Sequence, residues 1–194
     1  AGTAHGPSLA NPATDRYGRP VTVTPEHRRA LARDALTGLS VGDAVGNQAF
    51  RPRVPVVPPQ LPPEVWAWTD DTQMACSLVD ILDRHGTVDQ NDLATAFAER
   101  AEVFRDYGMG ALRFLARVRD GADWREVRAE LFGGVGSWGN GGAMRVPPLG
   151  AYFADDLARA AREAAASAEV THAHPEGVAG GTGGLTFGGE RVDG

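Results

Sequence analysis

Met74, Leu78, Ile81 and Leu82 recur at i, i+4, i+7 and i+8, a spacing that only an α-helix brings to one side. Thr69 stands where an N-cap belongs, and Gly86 can close the last turn in the left-handed conformation. The same period returns along the chain. Thr24-Pro25-Glu26 supplies a cap, a proline at the first helical position and an acid, and predicts a helix through RRALARDALTGLSVGDAV with Leu31, Ala35, Leu39 and Gly42 on one face. Asp89 predicts a helix with Leu93, Phe97, Ala101 and Phe104 inward. Residues 109–119 predict another, with Leu112, Leu115 and Ala116 inward. Asp123 and Glu126 open a short helix reaching Leu131, and Asp155 or Asp156 opens an Ala-rich one through Ala168. His174-Pro175-Glu176 reads as a cap and first turn. No stretch alternates as a strand does, so the expected fold class is all-α, with long functional loops between helices.

The loops stand out by composition. Residues 51–68 hold Pro52, Pro55, Pro58, Pro59, Pro62 and Pro63, which exclude helix and disfavour strand, and Trp66 and Trp68 at the end suggest that the stretch docks. A second loop, residues 132–148, is rich in glycine. Gly38, Gly42 and Gly46 form a smooth stripe along the first helix, read as a seat for tight helix packing. The expected organisation is a flexible arm over residues 1–23, one helical domain over 24–180, and a Gly-rich tail over 181–194. There Gly180, Gly181, Gly183 and Gly184 deny a helix opened at Pro175 its further apolar turns.

A net charge of −6, with all 19 basic residues arginine, argues against a nucleic-acid surface built on bulk positive charge. The single cysteine, Cys76, cannot form an internal disulfide and is expected to be packed. No apolar run approaches the ~18 residues of a membrane span, and no signal-peptide pattern opens the chain, so the expected compartment is cytoplasmic. The chain does not begin with Met, which suggests processing or a fragment.

Three constellations could carry chemistry. Asp70 and Asp71 sit side by side behind Thr69. Two acids at a helix N-terminus can simply serve the unpaired amides and the dipole. Two adjacent carboxylates and a hydroxyl also supply the hard oxygen ligands that suit Mg²⁺ or Mn²⁺, and a cation would relieve their repulsion. Such an ion takes about six oxygens, so another segment must supply the far side. The second constellation is Ser137-Trp138-Gly139-Asn140-Gly141-Gly142, where glycines let backbone amides approach an anion; no G-K-[ST] follows, so it is not a P-loop. Phe132 and Trp138 could clamp a flat base. The third is the His172-x-His174 pair, read as a local cap more readily than as a transition-metal site, since no third ligand stands nearby.

Four stretches carry a resemblance: GLSVGDAVG at 38–46, WTDDTQMA at 68–75, GNGGAMRVPPLG at 139–150 and THAHPEGVAG at 171–180. In this order they resemble the ADP-ribosylglycohydrolase family, which includes dinitrogenase-reductase-activating glycohydrolases and ADP-ribosylarginine and ADP-ribosylserine hydrolases. The resemblance implies an all-α fold holding two Mg²⁺ (or Mn²⁺) ions, with Thr69, Asp70 and Asp71 as ligands and Asp70 and Asp71 in catalysis. It implies that Ser137, Trp138, Gly139, Asn140, Gly141 and Gly142 hold ADP-ribose, that Phe132 and Trp138 flank its adenine, and that His172 sits near the ligand. The partner implied is an ADP-ribosylated protein or small molecule. The family's second ligand cluster, D-x-D-T, does not occur in this chain, and Phe50 stands where many members carry a Glu. Acid–base duty is therefore expected of Asp70, Asp71 or Glu64. The expected activity is metal-dependent hydrolysis of the bond between ADP-ribose and an acceptor. The alternative is a truncated or degenerate relative that binds ADP-ribose without catalysis.

Overall fold

The computed structural model describes residues 23–49 and 66–183. These form α1 (Pro25–Ala49), α2 (Asp70–His85), α3 (Gln90–Arg100), α4 (Met109–Arg119), α5 (Trp124–Gly134), α6 (Pro147–Tyr152), α7 (Leu157–Glu169) and α8 (Pro175–Gly183), with a 3₁₀ turn at Asn140–Gly142. No strand occurs among the described residues, as expected. The arm, most of the Pro-rich loop with Phe50 and Glu64, and the tail beyond residue 183 lie outside them.

Helix ends follow local chemistry. Thr69, Asp89, Asp123 and Asp156 each cap the helix that follows by accepting a first-turn amide, and Gly86 ends α2 at φ 68°. Leu78, Ile81 and Leu82 on α2 are fully buried, and burying each stabilises the fold by about 1.5–3 kcal/mol. α2 forms the centre. α3 and α6 pack beside it, and α1 packs against both α2 and α6.

Five expectations are corrected. α3 stops at Arg100, so the helical period never reaches Phe104, which is 71% exposed under the Arg105 guanidinium. On α4 Phe114 joins Leu115 as a buried residue and Leu112 packs partly buried against the core as expected, but Ala116 is exposed. Cys76 is exposed, because it falls on the far side of α2 from Met74 and Leu78. The glycine stripe of α1 receives no packing helix: a Cβ at Gly38, Gly42 or Gly46 would meet nothing within 4 Å among the described residues. α8 does continue through Gly180 and Gly181. A Cβ on Gly181 would stand 2.7 Å from the Ala168 Cβ, so its absence lets α8 lie close on α7, and that packing replaces the missing apolar turns.

Candidate functional site

The first turn of α2 is held from outside itself. Asp43, in the last two turns of α1, accepts hydrogen bonds from the Thr69 amide (2.8 Å) and hydroxyl (2.8 Å) and from the Thr72 hydroxyl (2.6 Å) and amide (3.3 Å). The Asp70 amide donates to the Arg105 carbonyl (2.7 Å), and the Asp71 amide to Thr69 Oγ1 (3.4 Å). Helix capping is thus the work of Asp43, Thr69 and the Arg105 carbonyl. The Asp70 and Asp71 carboxylates are not needed for it, and both line a cavity.

That cavity, about 760 Å³, is walled by Leu39, Gly42, Asp43, Gly46 and Asn47 of α1, by Thr69, Asp70 and Asp71, by Asp106, and by Asn140 of the glycine loop. The open glycine stripe of α1 is therefore one wall of the cavity. Of the residues expected at the site, Thr69, Asp70, Asp71 and Asn140 come together here.

Charge in the cavity is one-sided. Burial, then the neighbouring Asp71, Asp43 and Asp106, push the Asp70 carboxyl up to about 7. Burial and Asp43 raise Asp71 as well, against the lowering effect of Thr69 and its own amide. Crowded carboxylates that resist ionisation are a donor set suited to a hard divalent cation. Thr69 Oγ1 gives its hydrogen to Asp43 and so keeps a lone pair for such an ion. Among the described residues no three acidic, histidine or cysteine side chains converge to hold an ion by themselves. The residues fit as one side of a coordination shell.

The α3–α4 connection supplies residues that sequence reasoning missed. Arg105 stacks over Trp68 at 3.3 Å from the ring centroid and donates to its carbonyl (3.0 Å), pinning the entry to α2. Asp106 adopts φ 61°, a left-handed conformation uncommon outside glycine. Gln73 accepts from the Tyr107 hydroxyl (2.9 Å) and the Glu102 amide (3.0 Å), fixing this connection to α2. Asp43 carried one available signal, an acid inside a stripe of glycines. The residues around Asp106 carried none.

The glycine loop begins where α5 breaks at Leu131. Phe132 follows at φ 55°, and Gly133, Gly134 and Gly136 also have positive φ. The Phe132 ring rests on Gly110, where a Cβ would stand 2.7 Å from it. Its centroid is 5.7 Å from that of Trp138, which meets His174 edge-on at 5.6 Å. Phe132 and Trp138 are more than half exposed and touch each other. Ser137 Oγ accepts from the Gly139 amide (3.2 Å), and Gly142 is buried against Ala168 and Gly177. His172 is buried beneath Gly141, its pKa lowered by burial and then by Arg145 to about 4. His174 Nδ1 accepts from the Glu176 amide (3.1 Å), the local cap expected.

Residues 24–183 match the family profile described as ADP-ribosylglycohydrolase. The chain is 33% identical over 177 residues to ADP-ribosylhydrolase ARH3 of Gallus gallus, covering 78% of this chain and 47% of that protein. It is 32% identical over 171 residues to the Homo sapiens ARH3, covering 76% and 46%. It is 31% identical over 180 residues to the ADP-ribosylarginine hydrolase Tri1 of Pseudomonas putida (strain GB-1), covering 82% and 46%. The chain spans about half the length of the curated relatives it matches. No helix among the described residues is long and apolar enough to cross a membrane.

Proposed function

Because this chain belongs to the ADP-ribosylglycohydrolase family, we propose that it serves hydrolysis of the glycosidic bond between ADP-ribose and an acceptor, with Mg²⁺ or Mn²⁺ held at Thr69, Asp70 and Asp71. One observation carries the reading: Asn140 of the glycine loop and the Thr69–Asp71 turn wall the same cavity, so an anionic nucleotide and its reacting sugar can be held in one place. The relatives' names, ADP-ribosylhydrolase and ADP-ribosylarginine hydrolase, support the reaction class.

The bound cation would supply Lewis-acid polarisation and hold the ribose. The chain's own residues do the rest. The Gly141 amide and the Asn140 side chain offer donors to the diphosphate, while the Gly139 amide is engaged by Ser137 Oγ. Phe132 and Trp138 offer one apolar platform on which adenine can stack. Bond cleavage passes through an oxocarbenium-like centre, and the carboxylates of Asp70 and Asp71 stabilise its positive charge. Burial and the neighbouring acids hold the Asp70 carboxyl up at about 7, and a cation bound at Thr69, Asp70 and Asp71 would relieve that crowding and keep it ionised. Asp43 orients Thr69 and caps α2, so that neither neighbouring acid is spent on structure.

A second reading, binding of ADP-ribose without turnover, is favoured by the one-sided donor set among the described residues. One experiment separates the two. The chain is incubated with peptides carrying ADP-ribose on arginine or on serine, with Mg²⁺ or with EDTA, and free ADP-ribose is quantified. Mg²⁺-dependent release that Asp70→Asn, Asp71→Asn abolishes supports hydrolysis. Binding without release supports the second reading. Neither binding nor release overturns both.

A further inference from the structure

Arg145, near the end of the glycine loop, is fully buried, yet among the described residues every hydrogen bond it makes ends on a neutral group. Its Nε donates to Ser167 Oγ (3.2 Å), and Nη2 donates to the Ser167 carbonyl (2.6 Å) and to Thr171 Oγ1 (3.0 Å). Nη1 faces Met74 Sδ (3.9 Å), and the guanidinium lies 4.7 Å from the Phe97 ring centroid. A buried cation lacking a carboxylate partner is costly, and hydrophobic residues would fill the same volume more cheaply.

The hydrogen bond to Thr171 leads to the site. Thr171 Oγ1 lies 2.8 Å from His172 Nδ1 and 3.5 Å from the Ala168 carbonyl. A guanidinium only donates, and a hydroxyl has a single hydrogen to give. Sent to the Ala168 carbonyl, that hydrogen would leave Nδ1 free to donate; sent along the shorter contact, it goes to His172 Nδ1, which then accepts. The ring's own hydrogen is left on Nε2. A Cβ at Gly141 would stand 3.1 Å from Cε1 and 3.6 Å from Nε2, and the carbonyls of Ala168 and Gly139 both face the ring. The other side of the ring is closed by Gly177, where a Cβ would stand 2.6 Å from Cδ2.

We propose that Arg145 is a positioning residue, which through Thr171 Oγ1 fixes the Nε2–H tautomer of His172, and that His172 in turn holds the Gly139–Gly141 turn in its binding shape. That this shape serves ADP-ribose rests on the function proposed above; the relay itself does not. The low pKa of His172 keeps the ring neutral through the physiological range, so it has a tautomer to fix.

The test needs no ligand. Long-range ¹H–¹⁵N spectra of the ¹⁵N-labelled chain report which ring nitrogen of His172 carries hydrogen, with the residue assigned by through-bond correlation to its backbone. The expected result is hydrogen on Nε2 and none on Nδ1, unchanged from about pH 6 to about pH 8. Thr171→Val, which keeps the shape and removes the hydroxyl, mixes the tautomers and speeds amide exchange at residues 139–141 by at least about tenfold. Thr171→Ser restores both readouts. Hydrogen on Nδ1 in the unaltered chain overturns the relay, whether or not the valine variant folds. So does a folded Thr171→Val that matches the unaltered chain in both readouts. Failure of the proposed function looks different: ADP-ribose does not bind while the Nε2–H signature persists.

Discussion

The Asp43 carboxylate grips Thr69 by both of its donors, accepting the amide on Oδ2 and the hydroxyl on Oδ1, each at 2.8 Å. The bonds span 26 residues and join the C-terminal part of α1 to the head of α2. They anchor the wall of the cavity that carries Asp70 and Asp71.

Asp43→Ala strands two amides and two hydroxyls at that junction. Bonds to a charged acceptor contribute roughly 1.5–3 kcal/mol each when partly buried, and losses at one acceptor are not additive. Urea unfolding is expected to register a loss of about 2–4 kcal/mol, with Asp43→Asn losing less. Thr72→Val removes a single strong bond and loses about 1–2 kcal/mol. An Asp43→Ala chain as stable as the parent would contradict this role.

Stability should fall with acid through His172. Its pKa is lowered to about 4 in the folded chain, against 6.5 for the free side chain. Between those values the unfolded chain binds a proton that the folded chain does not, so stability rises with pH across the window. The contribution is present above about 6.5 and is lost as pH falls toward about 4, on the order of 3 kcal/mol in all. Asp70, raised to about 7, acts in the opposite sense over the same window, so the His172 share is read as the difference between the slopes of the unaltered chain and of His172→Gln in unfolding curves from about pH 4 to about pH 7.

Two neighbouring glycines of α8 should respond in opposite directions. Gly181→Ala pushes a methyl to 2.7 Å from the Ala168 Cβ, and overpacking of this kind costs about 1–3 kcal/mol. A Cβ on Gly180 meets nothing within 4 Å, and alanine there gains up to about 1 kcal/mol of helix propensity. Thermal melts of the pair decide whether α8 is seated as described.

Trp138 is 59% exposed and contributes little to the core. Trp138→Ala should change stability by less than about 0.5 kcal/mol. If the ring carries adenine, the same change weakens ADP-ribose binding by about 1–3 kcal/mol, the usual range for base stacking on an aromatic side chain. Calorimetry on the two chains gives both quantities.

Helix boundaries were legible in the sequence because caps are local. Thr69, Asp89, Asp123, Asp156 and Gly86 each act within a few residues of their own position. The inward face failed to predict Phe104 because α3 ends before the period reaches it, and nothing nearby in the sequence marks that end. The metal-side candidates and Asn140 could be named from their chemistry, and all four face one cavity. Asp43 could not be assigned its role, since its partners lie 26 and 29 residues away. Asp106 reaches the cavity only through the turn after α3, and a tertiary turn of that kind leaves no periodic trace.

The most direct measurement is the melting temperature of this chain with ADP-ribose, with Mg²⁺ and with EDTA, set beside Asp70→Asn, Asp71→Asn. A ligand that binds only the folded state at a hundredfold excess over its Kd adds about 2.7 kcal/mol. A rise with ADP-ribose that needs Mg²⁺ and is absent from the double variant is the predicted result. A melt that ADP-ribose and Mg²⁺ leave unmoved, or a rise that the double variant shares, would contradict a metal-assisted ADP-ribose site at Thr69, Asp70 and Asp71.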